Sequence, residues 1–218
     1  MTDPSVPKLN RLYLRYLEDE DSAGFIMAVS EHYMFCTLER LASLGSQVSR
    51  RAAMLALSFL SDYSSNAVFG RGMQDEDRAV RLLAENGIRE IWRRDGNESQ
   101  QRQLAAIIRQ NNAQCFEVAR DNANRLIDQA PWFAEVWNQR AIAYFHLKSY
   151  EESANDCQQT LELNPYHFGA AVGMAHCYLE LCDGFAALEC FQRALRLNPG
   201  LEGVRAQVEY LKRSLEGK

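Results

Sequence analysis

The fold is decided by residues 130–165, APWFAEVWNQRAIAYFHLKSYEESANDCQQTLELNP. Trp137, Ala141 and Tyr144 stand at i, i+4 and i+7, one apolar stripe of a helix expected from about Ala134 to Leu147. The polar turn KSYEE breaks that period. A second helix, expected from about Glu151 to Leu163, aligns Ala154, Cys157 and Leu161, small near its start and larger near its end. Small side chains let two antiparallel helices approach closely. Pro165 closes the phrase LELNP, and the similar phrases IDQAP and LRLNP place Pro131 and Pro199 at equal distances to either side. Proline cannot continue a helix, so its return at a fixed phase marks the end of a repeated helix pair.

The next copy carries Ala171, Ala175 and Tyr178 on its first helix and Ala187, Phe191, Ala194 and Leu195 on its second. The preceding copy is degenerate. Phe116, Ala119, Ala123 and Leu126 suit a second helix, whereas residues 100–110 retain little of the aromatic pattern. Beyond Pro199, Val204, Val208 and Leu211 share one side of a helix whose other side is charged, as a capping helix over an exposed repeat end requires.

Trp137, Ala141, Tyr144, Tyr150, Leu161 and Pro165, followed by Ala175, Tyr178, Ala187, Phe191, Ala194 and Pro199, give residues 98–199 a sequence that resembles the tetratricopeptide repeat family. Arg140 and Ala171 stand where Leu and Trp are usual, and Ser153 and Thr160 where Ala is usual, departures expected to weaken single contacts. The resemblance implies an all-α solenoid of antiparallel helix pairs and a non-catalytic scaffold that holds a protein or peptide partner in a concave surface.

In the first half, SRRAAMLALSFLSD from Ser49 aligns with VRLLAENGIREIWR from Val80, one constant offset matching Arg50 with Arg81, Ala53 with Ala84 and Leu57 with Ile88. Leu38 against Phe69 and Arg40 against Arg71 keep that register in a shorter helix upstream. With its acidic turn QDED, the phrase resembles short HEAT-like repeats. That resemblance implies a second reading, an enzyme or cofactor carrier of the bilin-lyase kind using Cys and His. PKLNRLYLRYLEDED and AGFIMAVSEHYMF form a further helix pair, with Leu9, Leu12 and Tyr16 along one face. Asp95-Gly96-Asn97 is the expected boundary, giving a HEAT-like region at 1–97, a tetratricopeptide region at 98–199 and a cap at 200–218.

Composition narrows the function classes. With 47% hydrophobic and 24% charged residues the chain reads as globular, and 5 Pro and 12 Gly are too few for a turn-rich β-fold. Net charge is -5, with 12 basic and 14 acidic residues up to Asn97 and 12 and 15 beyond it, so neither half has the cationic excess of a nucleic-acid binder. The start MTDPSVPKLNR lacks an apolar run behind its basic residues, and AAMLALSFLS is about half a membrane span, which points to a cytoplasmic protein with no membrane insertion. Asn97-Glu98-Ser99 then reads as a surface loop rather than a glycosylation site.

No phosphate loop, dinucleotide fingerprint, zinc-protease motif or nucleophile elbow occurs, so no catalytic residue and no cofactor is expected. Cysteines 36, 115, 157, 177, 182 and 190 form no Cys-x-x-Cys pair and read as reduced core residues; Cys177 and Cys182 beside His176 do not match a zinc spacing, so no metal is expected. The acidic runs 18–21 and 75–77 read as helix-start charges. If Trp137, Ala141 and Tyr144 face the neighbouring helix, then Asn138, Gln139, Ile142, Phe145 and His146 lie on another stripe, continued by Val172, His176 and Leu179. This stripe is the candidate peptide-binding surface. The positions of a carboxylate clamp known in some members of the family hold Leu104, Gly169 and Gly173, with Gln139 in place of an Asn, which speaks against an acidic C-terminal peptide.

Overall fold

The computed structural model describes residues 6–216; part of the amino-terminal leader reading and the last two residues of the cap lie outside that range. The chain divides into two compact units, residues 1–92 and 93–218, and the described residues of both are helical without strands.

The first unit contains α1 (Lys8–Asp19), α2 (Ser22–Ser30), α3 (Phe35–Leu44), α4 (Gln47–Leu60), a short 3-10 turn at Tyr63–Ser65, α5 (Asn66–Gly72) and α6 (Arg78–Trp92). Its centre is α4, buried continuously from Ala52 to Leu57 because α1, α2, α3 and α6 all pack on it. The step from the start of α3 to that of α5 equals the step from α4 to α6, and it is the offset at which the two sequence segments align. Leu38, Phe69, Ala53, Ala84, Leu57 and Ile88 are all buried at matching positions. Gly87 permits the close approach of α5 to α6, since a β-carbon there would stand 2.3 Å from the Phe69 ring. On α1, Leu9 is buried as expected, Tyr16 is half-buried against Phe25, and Asn10 is buried because its side-chain oxygen accepts from Ser49.

The acidic runs need correcting. Asp21 does cap α2, accepting from Gly24 N–H, but Asp19 closes α1 and pairs with Arg15. Asp75 and Asp77 chiefly receive arginines from α4. Arg50 donates to both oxygens of Asp75, at 2.8 and 2.9 Å, and Arg51 to both of Asp77, at 3.0 and 2.6 Å. Asp77 also accepts from Val80 N–H at the start of α6 and from Gln47. Its carboxyl is held well below the usual carboxylate range, chiefly by the Arg51 hydrogen bond.

The second unit is a stack of helix pairs: α7 (Glu98–Asn112) with α8 (Phe116–Gln129), α9 (Ala134–His146) with α10 (Tyr150–Leu163), α11 (Phe168–Glu180) with α12 (Gly184–Leu197), and α13 (Glu202–Glu216) against α12. Asn97 begins α7 in a capping box with Gln100, so the sequon forms a helix start rather than a loop. The core follows the expected stripes. Ala141, Cys157, Leu161, Ala171 and Ala194 form one cluster, and Ala175, Ala187, Phe191, Val208 and Leu211 form the next, which α13 closes.

The degenerate copy keeps the backbone period that its side chains obscure. Gln114, Lys148 and Cys182, spaced at the same interval as the three prolines, are all left-handed, with φ of 61°, 63° and 60°. Around each, the same bonds close the first helix: Ser149 N–H to Tyr144 O and Lys148 N–H to Phe145 O have counterparts at Cys115 and Gln114, and at Asp183 and Cys182. The sequence signal usually sought at this position is glycine, which none of the three supplies.

The expectation that the cysteines are core residues holds for Cys157 and Cys177 only. Cys36, Cys115 and Cys182 are exposed, Cys190 is half-buried, and all six are free thiols. The exposed three fall at helix starts or in the turns between helices, where the chain has no core to offer.

Candidate functional site

The first helices of the second unit are tied by polar groups that apolar periodicity cannot reveal. Glu135, in the first turn of α9, is buried. Its Oε1 accepts from Gln139 Nε2 at 2.7 Å and from Asn138 Nδ2 at 3.2 Å. Its Oε2 faces His167 Nε2 at 2.9 Å. The other ring nitrogen of His167 accepts from Ala170 N–H, capping α11, so the proton lies on Nε2 and is donated to Glu135. Burial disfavours the Glu135 charge, but the hydrogen bonds from His167, Gln139 and Asn138 prevail and hold its carboxyl below the usual range. On the other side, Asn111 of α7 donates to the carbonyl and side-chain oxygens of Gln139, at 2.9 and 3.0 Å. The relay Asn111, Gln139, Glu135, His167 thus runs from α7 through α9 to the start of α11.

Three residues expected to weaken contacts instead make others. Arg140 donates to both Asp156 oxygens, at 2.7 and 2.8 Å, and to Asn124 at 2.7 Å, with its guanidinium 4.8 Å from the centre of the Trp137 ring. Burial pushes the Asp156 carboxyl up despite Arg140. Ser153 donates to the Ala141 carbonyl and Thr160 to that of Asp156, each at 2.8 Å. A hydroxyl or guanidinium in these places is satisfied within the fold, which composition-based matching to a repeat pattern cannot foresee.

The candidate binding residues occupy different situations. Asn138 is half-buried and Gln139 buried, and both are oriented by Glu135, so Gln139 stands behind the surface rather than on it. Ile142 is half-buried and Phe145 packs edge-on against His146 and Tyr150. His146 is exposed and lies flat on Phe116 of α8, ring centres 4.3 Å apart. Val172 leans into the core clusters beneath α11. His176 stands edge-on to Phe191, and burial lowers its pKa below the ordinary histidine value. Leu179 is exposed beside Phe185, Leu211 and Leu215. These residues lie on α9 and α11, which touch each other. Among the described residues no cluster of His, Cys, Asp or Glu could hold a metal ion, and no helix is long and apolar enough to cross a membrane.

Comparison with known proteins agrees with this geometry. The tetratricopeptide repeat model matches residues 134–167, which contain α9 and α10. A TPR repeat-containing protein of Rhizobium etli is 28% identical over 148 residues, spanning 66% of this chain and 70% of that protein. Among solved structures, the first TPR of Spaghetti (RPAP3) bound to the HSP90 peptide SRMEEVD matches with a TM-score of 0.53 at 19% identity, covering 56% of this chain and 96% of that one. The first TPR domain of human RPAP3 matches at 0.52 and 20%, with the same coverage of both chains. These matches show a tetratricopeptide repeat at residues 134–167, and the equal spacing of Pro131, Pro165 and Pro199 with the recurring left-handed turn makes the helix pairs to either side similar to it.

Proposed function

We propose that the second unit is a non-catalytic scaffold that holds a protein or peptide segment against α9 and α11. The observation that carries this reading is the contrast between faces of these two neighbouring helices. Ala141, Ala143, Ala171 and Ala175 are closed in the core, while Asn138, Ile142, Phe145, His176 and Leu179 remain partly or fully open and carry no fixed charge. Open apolar side chains beside amide and imidazole groups suit a mostly neutral segment whose backbone is held by side-chain hydrogen bonds. For the first unit, the constant offset between successive helices supports a HEAT-like reading.

The RPAP3 domain holds an acidic peptide, SRMEEVD. In this chain Leu104 is buried, Gly169 and Gly173 bring no cation, and Gln139 is committed to Glu135 and Asn111. Titration with SRMEEVD in a calorimeter should therefore give no micromolar binding; tight binding would remove the neutral-segment reading. The scaffold itself is tested by placing a photo-crosslinking residue at Ile142, or at Glu189 on α12 as a control, and irradiating in native lysate. A partner captured from position 142 only, and lost in an Ile142→Ser, Leu179→Ser chain of unchanged helicity, is the expected result. Equal capture from both positions would place binding elsewhere.

A further inference from the structure

Beneath the open face, three successive helices each bring one thiol to the same place: Cys157 on α10, Cys177 on α11 and Cys190 on α12. Ser153, one turn before Cys157, has its hydroxyl oxygen 3.1 Å from Cys177 Sγ. One turn before Cys177 stands Gly173, where a β-carbon would lie only 3.3 Å from Cys157 Sγ. The missing side chain at Gly173 therefore lets the Cys157 thiol lie against α11. There it stands close enough to Cys177 for the two thiols to shift each other's ionisation. Both cysteines are buried, and no metal-binding cluster includes them.

We propose that Cys157 and Cys177 form a redox pair that closes into an intramolecular disulfide, joining α10 to α11, when a hydroperoxide of the hydrogen peroxide class reaches them. The neighbouring Cys157 brings the Cys177 thiol down to about 7, whereas burial pushes Cys190 up to about 11. Cys177 is thus the attacking sulfur and Cys190 the bystander. The Cys177 thiolate attacks one peroxide oxygen; an S–O bond forms, the O–O bond breaks, and the departing hydroxide takes up a proton to become water. Cys157 then attacks the Cys177 sulfenic acid. The S–S bond forms, the S–O bond breaks, and the second water leaves with the Cys157 proton. Two thiols are oxidised by two electrons and one peroxide is reduced to two waters. Met174 and Tyr178, which flank Cys177 on α11, line an open surface pocket, and a small peroxide reaches the buried pair from there only as the helices open locally.

The disulfide would tie the second helix of the matched repeat to the first helix of the next copy, fixing α11 beneath the open face. The test treats the full chain with hydrogen peroxide, alkylates it in denaturant without reductant, and maps the peptides by mass spectrometry. Expected are two thiols fewer than the six of the reduced chain, one peptide pair linked through Cys157 and Cys177, and full recovery of thiols after dithiothreitol. Cys190→Ala should leave that linkage intact, and Cys177→Ala should abolish thiol loss at Cys157. Retention of all six thiols, a linkage through Cys190, or irreversible oxidation of Cys177 without a linked peptide would each overturn the proposal. The wild-type map decides the matter even where a variant folds poorly.

Discussion

In the first unit, Arg51 meets Asp77 while keeping 32% of its side chain open to solvent; in the second, Arg140 makes the same two-pronged contact with Asp156 at half that exposure, 16%. The outcome for the two carboxylates is opposite. Asp77 is pulled below the usual range by Arg51, whereas burial lifts Asp156 in spite of Arg140. Both carboxylates are buried, so what else meets them decides the sign: Asp77 also accepts from Val80 N–H and Gln47. In the second unit Glu135 follows Asp77 rather than Asp156, held below the usual range by its hydrogen bonds although buried.

The sharpest way to break this comparison is Glu135→Ala. It leaves His167, Gln139 and Asn138 without their shared acceptor, and each buried donor left unsatisfied costs about 1–3 kcal/mol. Hydrogen exchange resolved along the sequence should show protection falling across α9 and α11 while α4 keeps its own. Equal loss in both units would erase the distinction between them. Arg51→Met takes the main partner from a buried carboxylate that keeps Gln47 and Val80 N–H, and should cost about 1–3 kcal/mol.

Acid titration sharpens the same contrast. Because the native pKa of Asp77 is depressed, the unfolded chain binds more protons, and the contribution of Asp77 is present above the unfolded carboxylate pKa and lost as pH falls below it. For Asp156 the sign reverses: its native pKa is raised, the folded chain binds more protons, and its contribution falls as pH rises. In urea unfolding between about pH 3 and 6, Asp77→Asn should flatten the rise of stability with pH and Asp156→Asn should steepen it. Flattening by both variants would show that Arg140 governs Asp156 after all.

The smallest effect concerns the feature shared by all three copies of the second unit. Lys148 adopts the left-handed conformation that costs a side chain about 1 kcal/mol, so Lys148→Gly should raise stability by about that amount in thermal unfolding. No gain, or a loss, would mean that the lysine side chain itself supports the turn.

Much of this architecture was legible because it is written in apolar periods and prolines. Trp137, Ala141 and Tyr144 located α9 to within one residue at its end, and Val208 and Leu211 gave the capping helix its buried side. Polar burial left no such trace. Glu135 and Gln139 have the spacing of a solvated helix face, and His167 looks like any residue after a proline turn; only the fold brings the three together across 32 residues. Arg140 registered as a mismatch for the same reason, since its partners Asn124 and Asp156 lie 16 residues to either side. The candidate binding stripe was drawn from helical spacing alone, which fixes direction but not depth. Hence Gln139 falls inside and His146 outside.

Stacks of similar helix pairs run the risk of joining in the wrong order, or of trading a pair with a second chain, because one apolar face fits another nearly as well. The Glu135–His167 bond is written only once. One period later the same positions hold Gly169 and Leu201, and one period earlier Gln101 and Phe133. A misplaced neighbour would leave a carboxylate sealed in the interior with no imidazole to meet it. The buried pair is thus an address label that matches one neighbour and none of its look-alikes.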